Sequence, residues 1–98
     1  MQENFCITVI FKAIPGKEQI LKKFLTSIID IALQFSGCIC HDLHQSLDDP
    51  STFLFYECWI NQEAHNQHIS RSEVKKWREQ LNGYLIKPYE VLFWKKIN

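Results

Sequence analysis

The sequence predicts an α+β fold: a ferredoxin-like β-α-β-β-α-β sandwich with an antiparallel four-stranded sheet. Three observations predict it. Hydrophobic period switches between two and roughly 3.6 in the order strand, helix, strand, strand, helix, strand. One stretch, residues 53–69 (FLFYECWINQEAHNQHI), contains such a switch within itself. And the strands are apolar on both faces, whereas two helices shelter only one. That mismatch predicts a homodimer joined through the sheet face, a dimeric α/β barrel in which a second copy covers what the helices leave bare.

Residues 5–13, FCITVIFKA, alternate Phe5, Ile7, Val9 and Phe11 against Cys6, Thr8, Ile10 and Lys12, a β-branched first strand. Pro15-Gly16 breaks it. From Lys17 to Phe35 the stripe Ile20, Leu21, Phe24, Leu25, Ile28, Ile31, Ala32 and Phe35 is helical, and Ser36-Gly37 is expected to end it at a left-handed cap. Residues 38–46 form a second strand, and the turn-rich Leu47–Ser51 loop makes a hairpin with the strand that follows. Asn61 caps a short helix over 61–69. Ser72 is expected to cap the next, with Val74, Trp77 and Leu81 inward and Gly83 at its end. A last strand runs from about Lys87 to Lys96, with Pro88 suited to an edge.

With 98 residues, the chain is read as a single domain spanning 1–98, large enough for its own core. Hydrophobic residues make up 46% and aromatics 13%, which excludes disorder. Formal net charge is zero with the signs interspersed, so no basic stripe points to nucleic acid or an anionic membrane. The first residues lack the features of a signal peptide, and no apolar run reaches the ~18 residues of a membrane span. Cys6, Cys38, Cys40 and Cys58 all fall in strands, which reads as reduced, buried thiols and a cytoplasmic location. Cys38-x-Cys40 has no second cysteine pair at zinc-site spacing, so no metal is expected.

Chemistry concentrates around residues 53–69. Glu57 and Trp59 share one face of the strand, and His68, i+4 from Ala64, is aimed back at the sheet. If the hairpin closes near its loop, His41 falls opposite Glu57. His44, three residues on, points to the other face, and His65 is expected to face water. A carboxylate in an apolar strand needs a partner. Trp59, Trp77, Tyr56 and Phe93 are the candidate walls for a flat ligand, although such side chains also serve as plain core.

Pro15-Gly16-Lys17, Gly37-Cys38, the Asp49-Pro50 loop, Tyr56-Glu57 followed by Trp59, and Ala64 with His68 together resemble the antibiotic biosynthesis monooxygenase domain family. The resemblance covers nearly the whole chain and implies the same sandwich and sheet-to-sheet dimer. It implies one of several chemistries: cofactor-free quinol or anthrone oxygenation, haem degradation, isomerisation of a phosphorylated ketone, or none known. The haem-degrading branch carries Asn, His and Trp where this chain has Val9, Arg78 and His68, which argues against haem. The family commonly has Tyr at the position of His41. No Gly-rich phosphate loop suggests flavin or nicotinamide, so no cofactor is expected.

The expected function is a cofactor-independent monooxygenase acting with O₂ on a small quinol-like or phenolic aromatic. Such chemistry needs an apolar pocket, a base and an anion-holding donor. His68 is the expected base, since an unperturbed imidazole titrates near neutrality, with Glu57 and His41 orienting it or sharing the proton. The alternatives are proton transfer on a small carbonyl compound, or a non-catalytic barrel that binds a small ligand.

Overall fold

The computed structural model describes residues 5–98. Its elements are β1 (Phe5–Lys12), α1 (Glu18–Leu33), β2 (Cys38–Gln45), β3 (Thr52–Trp59), α2 (Gln62–Ile69), α3 (Ser72–Leu81), a short 3₁₀ turn (Asn82–Tyr84) and β4 (Glu90–Lys95). The strands form one antiparallel sheet in the order β2-β3-β1-β4. This is the expected ferredoxin-like α+β arrangement. Of the strands, the last is shorter than expected, and α1 is trimmed at both ends.

Strand alternation decides what each face holds. Ile7, Val9 and Phe11 of β1 and Phe53, Phe55 and Trp59 of β3 pack under Leu21, Leu25, Ile28 and Ala32 of α1 and Val74 and Leu81 of α3. Ile20, placed on the inner stripe by periodicity, is exposed. On the other face stand Cys6, Thr8, Ile10, Leu54, Tyr56, Cys58, Leu92 and Trp94, brought together by register. Tyr56, Leu92 and Trp94 are 39%, 46% and 51% exposed, so this face has apolar side chains that no helix among the described residues covers.

Three local devices set the site's geometry. Gly16, at φ 89°, turns the chain from β1 into α1 through a conformation that suits glycine. Gly37 is not the left-handed cap the sequence suggested, because Gln34 ends α1 in right-handed geometry. Its smallness serves packing instead: a Cβ there would lie 2.6 Å from the Cβ of Ala64, so glycine lets α2 press against the start of β2. Asn61 caps α2 as expected, its Oδ1 accepting from the Ala64 amide at 2.8 Å. Ser72, by contrast, is the first residue of α3, and Arg71 precedes it as the N-cap.

The hairpin loop is tied down by Asp49, which accepts from Lys12 Nζ at 2.8 Å and from the hydroxyls of Ser51 and Thr52. These donors hold its carboxyl below the usual carboxylate range. A register shift between Cys38 and Cys40 marks a β-bulge in β2. Cys6 and Cys58, a register pair of β1 and β3, are joined as a disulfide, which corrects the reading of four reduced thiols; Cys38 and Cys40 are free. No helix among the described residues is long and apolar enough to cross a membrane.

Candidate active site

Between the sheet and the helices lies a cavity of about 190 Å³. Ile7, Val9, Phe55 and Phe93 line it from the strands, and Ile28, Val74, Trp77 and Leu81 from the helices. Its polar groups are His41, Glu57, His65, His68, Arg78 and Tyr89.

Glu57 is the hub. β3 buries it on the helix-facing side, and three ring nitrogens converge on it. Trp59, two residues on and fully enclosed, donates its indole N–H to Glu57 Oε1 at 2.9 Å. His41, the β2 register partner of Glu57, brings Nε2 to 3.4 Å from Oε2. His65 brings Nε2 to 3.8 Å from Oε1. Nδ1 of His41 has no hydrogen-bond partner among the described residues. A bare lone pair is cheaper to bury there than an N–H, so the His41 proton belongs on Nε2, facing the carboxylate.

His68 is buried, as the i+4 spacing predicted, but it does not touch the carboxylate through any hydrogen bond. Its ring packs 4.9 Å from Trp59 and edge-on at 5.0 Å from Phe35. Its Nδ1 is likewise without a partner among the described residues.

Burial reverses the ordinary order of acidity. Desolvation pushes the Glu57 carboxyl up to about 7, against the opposing pull of the Trp59 N–H and the Arg78 charge. The same desolvation, with repulsion from neighbouring cationic groups, lowers His41, His65 and His68 to about 4. At neutral pH the site therefore holds three neutral imidazoles around a carboxyl poised between its two forms. Burial, with the nearby Arg71 and Arg78 charges, thus lowers His68, the expected base, below neutrality.

Toward β4 the lining changes character. Arg78 donates from Nη2 and Nε to the Tyr89 hydroxyl, at 2.9 and 3.3 Å. Trp77 stacks on Phe24 with ring centroids 5.1 Å apart, and its indole donates to the Phe24 carbonyl and the Ser27 hydroxyl. Phe93 stacks at 5.5 Å on Phe5 and is 61% exposed.

Of the residues singled out by sequence, the fold gathers His41, Glu57, His68, Trp77 and Phe93 around one cavity. Trp59 is a correction: it is enclosed behind Glu57 and orients it rather than forming a wall. Tyr56 is a second correction, since strand alternation sends it to the opposite face, its hydroxyl 3.3 Å from Cys58 Sγ. His65, expected in water, is half-buried beside Glu57 because α2 lies close over the end of β3. Arg78 and Tyr89 were missed. Arg78 carried a signal: it stands i+4 from Val74, the one charge on an otherwise apolar inner stripe. Tyr89 sits in the irregular lead-in to β4 and had none.

Comparison with known proteins agrees with the fold. Residues 4–80 match the family described as antibiotic biosynthesis monooxygenase. Similar solved structures include a Mycobacterium tuberculosis protein, 20% identical with a TM-score of 0.90, covering 97% of this chain and 96% of that one. A conserved Methanosarcina mazei protein is 24% identical with a TM-score of 0.91, covering 98% and 95%. A Nitrosomonas europaea protein, described as a candidate antibiotic biosynthesis monooxygenase, is 18% identical with a TM-score of 0.91, covering 99% and 93%. At these identities the likeness shows the fold. An uncharacterized Synechocystis protein is 25% identical over 84 residues, which are 86% of this chain and 57% of that protein, so the chain spans little more than half of that relative.

Proposed function

Because the chain belongs to the antibiotic biosynthesis monooxygenase family, we propose that it oxidises a small quinol-like or phenolic aromatic with O₂, with Glu57 as the base. The observation that carries this reading is a carboxyl raised to about 7 inside an apolar cavity. A general base works best when its pKa lies near the working pH, and only Glu57 among the cavity's perturbed groups meets that condition.

The chemistry asks little else of the protein. Glu57 takes the phenolic proton, and the resulting anion passes one electron to O₂. The radical pair combines at a ring carbon to give a hydroperoxide. Loss of water from that carbon leaves a carbonyl, so one oxygen atom ends in the quinone and the other in water. Neutral His41 and His65 hold the Glu57 carboxyl in place, and Glu57 returns its proton to the peroxide anion as the hydroperoxide forms. Arg78, whose charge is felt at Glu57, His65 and His68, stabilises the phenolate. Trp77 and Phe93 flank the ring, and His68 closes the wall. The cavity suits one substituted ring: a dry apolar site of about 150 Å³ is enough for benzene.

The exposed apolar sheet face supports the accompanying proposal that two copies pair through it. Tyr56, Leu92 and Trp94 would be withdrawn from water by the same residues of the second copy.

Oxygen uptake measured against a panel of substituted hydroquinones tests the enzymatic reading. A quinone carrying one added oxygen atom should form with one O₂ consumed and no hydrogen peroxide released, and Glu57→Gln should abolish both product and uptake while leaving the fold intact. Turnover indifferent to oxygen would favour the proton-transfer alternative. Ligand-dependent thermal shifts without turnover of either kind would leave a binding barrel.

A further inference from the structure

The uncovered sheet face carries a second chemical feature, unconnected with the cavity. Three cysteines lie in one row across three strands. Cys58 of β3 pairs in register with Cys6 of β1 on one side and with Cys40 of β2 on the other. The β-bulge produces the second pairing. Counting evenly from the Cys38–Trp59 pair would set Ile39 opposite Cys58, and the shift substitutes Cys40. Cys38, by contrast, is on the helix-facing side, packed against the core.

We propose that this row is a thiol–disulfide exchange site, in which the bridge moves between Cys6–Cys58 and Cys40–Cys58. The Cys40 thiolate attacks Cys58 Sγ, a Cys40–Cys58 bond forms, the Cys6–Cys58 bond breaks, and the proton lost by Cys40 is taken up by Cys6. The exchange is an isomerisation with no net oxidation, so it consumes no reagent. Residues paired directly across antiparallel strands have Cα atoms about 4.5–5.5 Å apart, which a disulfide spans from either side of Cys58.

The surroundings favour the exchange. The Tyr56 hydroxyl lies 3.3 Å from Cys58 Sγ and 3.9 Å from Cys6 Sγ. A disulfide sulfur carries no hydrogen, so the hydroxyl donates, and it is placed to stabilise the Cys6 thiolate as it leaves. Trp94, the β4 register partner of Cys6, donates its indole N–H to Thr8 Oγ1 at 2.8 Å and walls the far end of the row. Because every participant is on one chain, a second copy over this face would not prevent the reaction. Burial raises the Cys40 thiol, the carboxylates of Asp42 and Glu57 add to the effect, and the Cys58 backbone hydrogen bond opposes it. Exchange is therefore slow at neutral pH and quickens in mild alkali.

The test uses the Cys38→Ser protein, which leaves only the row. After oxidation with oxidised glutathione and removal of the reagent, the folded protein is held at about pH 8.5, where exchange is fast. It is then acid-quenched, unfolded and labelled with N-ethylmaleimide, and the labelled peptides are mapped. The expected result is label on both Cys6 and Cys40, with both bridges recovered from one sample. Label on Cys6 should be lost in the Cys38→Ser/Cys40→Ser protein, and Tyr56→Phe should slow its appearance several-fold. Label confined to Cys40 at every time, or label on all three cysteines after oxidation, would overturn the proposal.

Discussion

The two faces of the sheet are built from the same strands and behave as two different solvents. β3 sends Phe53, Phe55, Glu57 and Trp59 under the helices, and Leu54, Tyr56 and Cys58 the other way. Under the helices, Glu57 is removed from water and its acidity falls; the imidazoles beside it lose basicity for the same reason. On the uncovered face, Tyr56, Leu92 and Trp94 stay in contact with solvent within one chain, and apolar area is the dominant feature. The comparison teaches that the same strands desolvate charge on one face and leave apolar side chains against solvent on the other. Each prediction below strikes at one side of that contrast.

The largest effect should come from Glu57→Gln. The amide keeps an oxygen for the Trp59 N–H but cannot take a proton, so turnover should fall by roughly 10²–10⁴-fold. Thermal stability above pH 7 should rise rather than fall, because a buried charge has gone. Steady-state kinetics beside a melting curve checks both. On the opposite face, the proposed pairing predicts that Trp94→Glu weakens self-association by about 10²-fold, read by sedimentation across a dilution series, through loss of an aromatic that the second copy would cover and the gain of facing like charges.

Gly37→Ala probes how closely α2 must approach. With Ala64 Cβ only 2.6 Å from the new methyl, a cost of about 1–3 kcal/mol is expected by denaturant titration, and Ala64→Gly should return most of it.

The pH dependence of stability separates the two kinds of buried group. Glu57 is raised above its unfolded value of 4.5, so its contribution is present below that value and lost as pH climbs toward about 7. His41, His65 and His68 are lowered from 6.5 to about 4, so the unfolded chain binds the extra protons and their neutral burial destabilises the fold in acid. Three histidines outweigh one glutamate between about 4.5 and 6.5. The melting temperature should therefore climb from pH 5 to 6.5, then flatten or dip slightly toward 7 as Glu57 ionises. The smallest shift in pH dependence belongs to Arg78→Ala, which removes a charge that favours ionised Glu57 and should move the pH–rate inflection upward by a fraction of a unit, beside the loss of turnover expected when the phenolate loses its cation.

Much of this was legible in the sequence, for identifiable reasons. Period-two and helical patterns gave the element order, and the hairpin register put His41 opposite Glu57. The Asn61 cap and the i+4 spacing from Ala64 aimed His68 inward. What escaped depended on distances that no local pattern encodes. The tight seat of α2, set by Gly37 against Ala64, is what brings His65 beside Glu57. The bulge that places Cys40 opposite Cys58 is a pairing irregularity visible only once the strands meet. Free pKa values favoured His68 as the base, whereas burial lowers His68 and raises Glu57 toward neutrality, a desolvation effect that no sequence pattern encodes.

The measurement that bears most directly on this account is a ¹³C NMR titration of the glutamate side-chain carboxyls, with the Glu57 resonance assigned by its disappearance in Glu57→Gln. The account predicts that this carboxyl titrates near 7. A midpoint close to the ordinary 4.5 would contradict it, because a carboxylate already ionised well below neutrality is not the poised base on which the proposed chemistry depends.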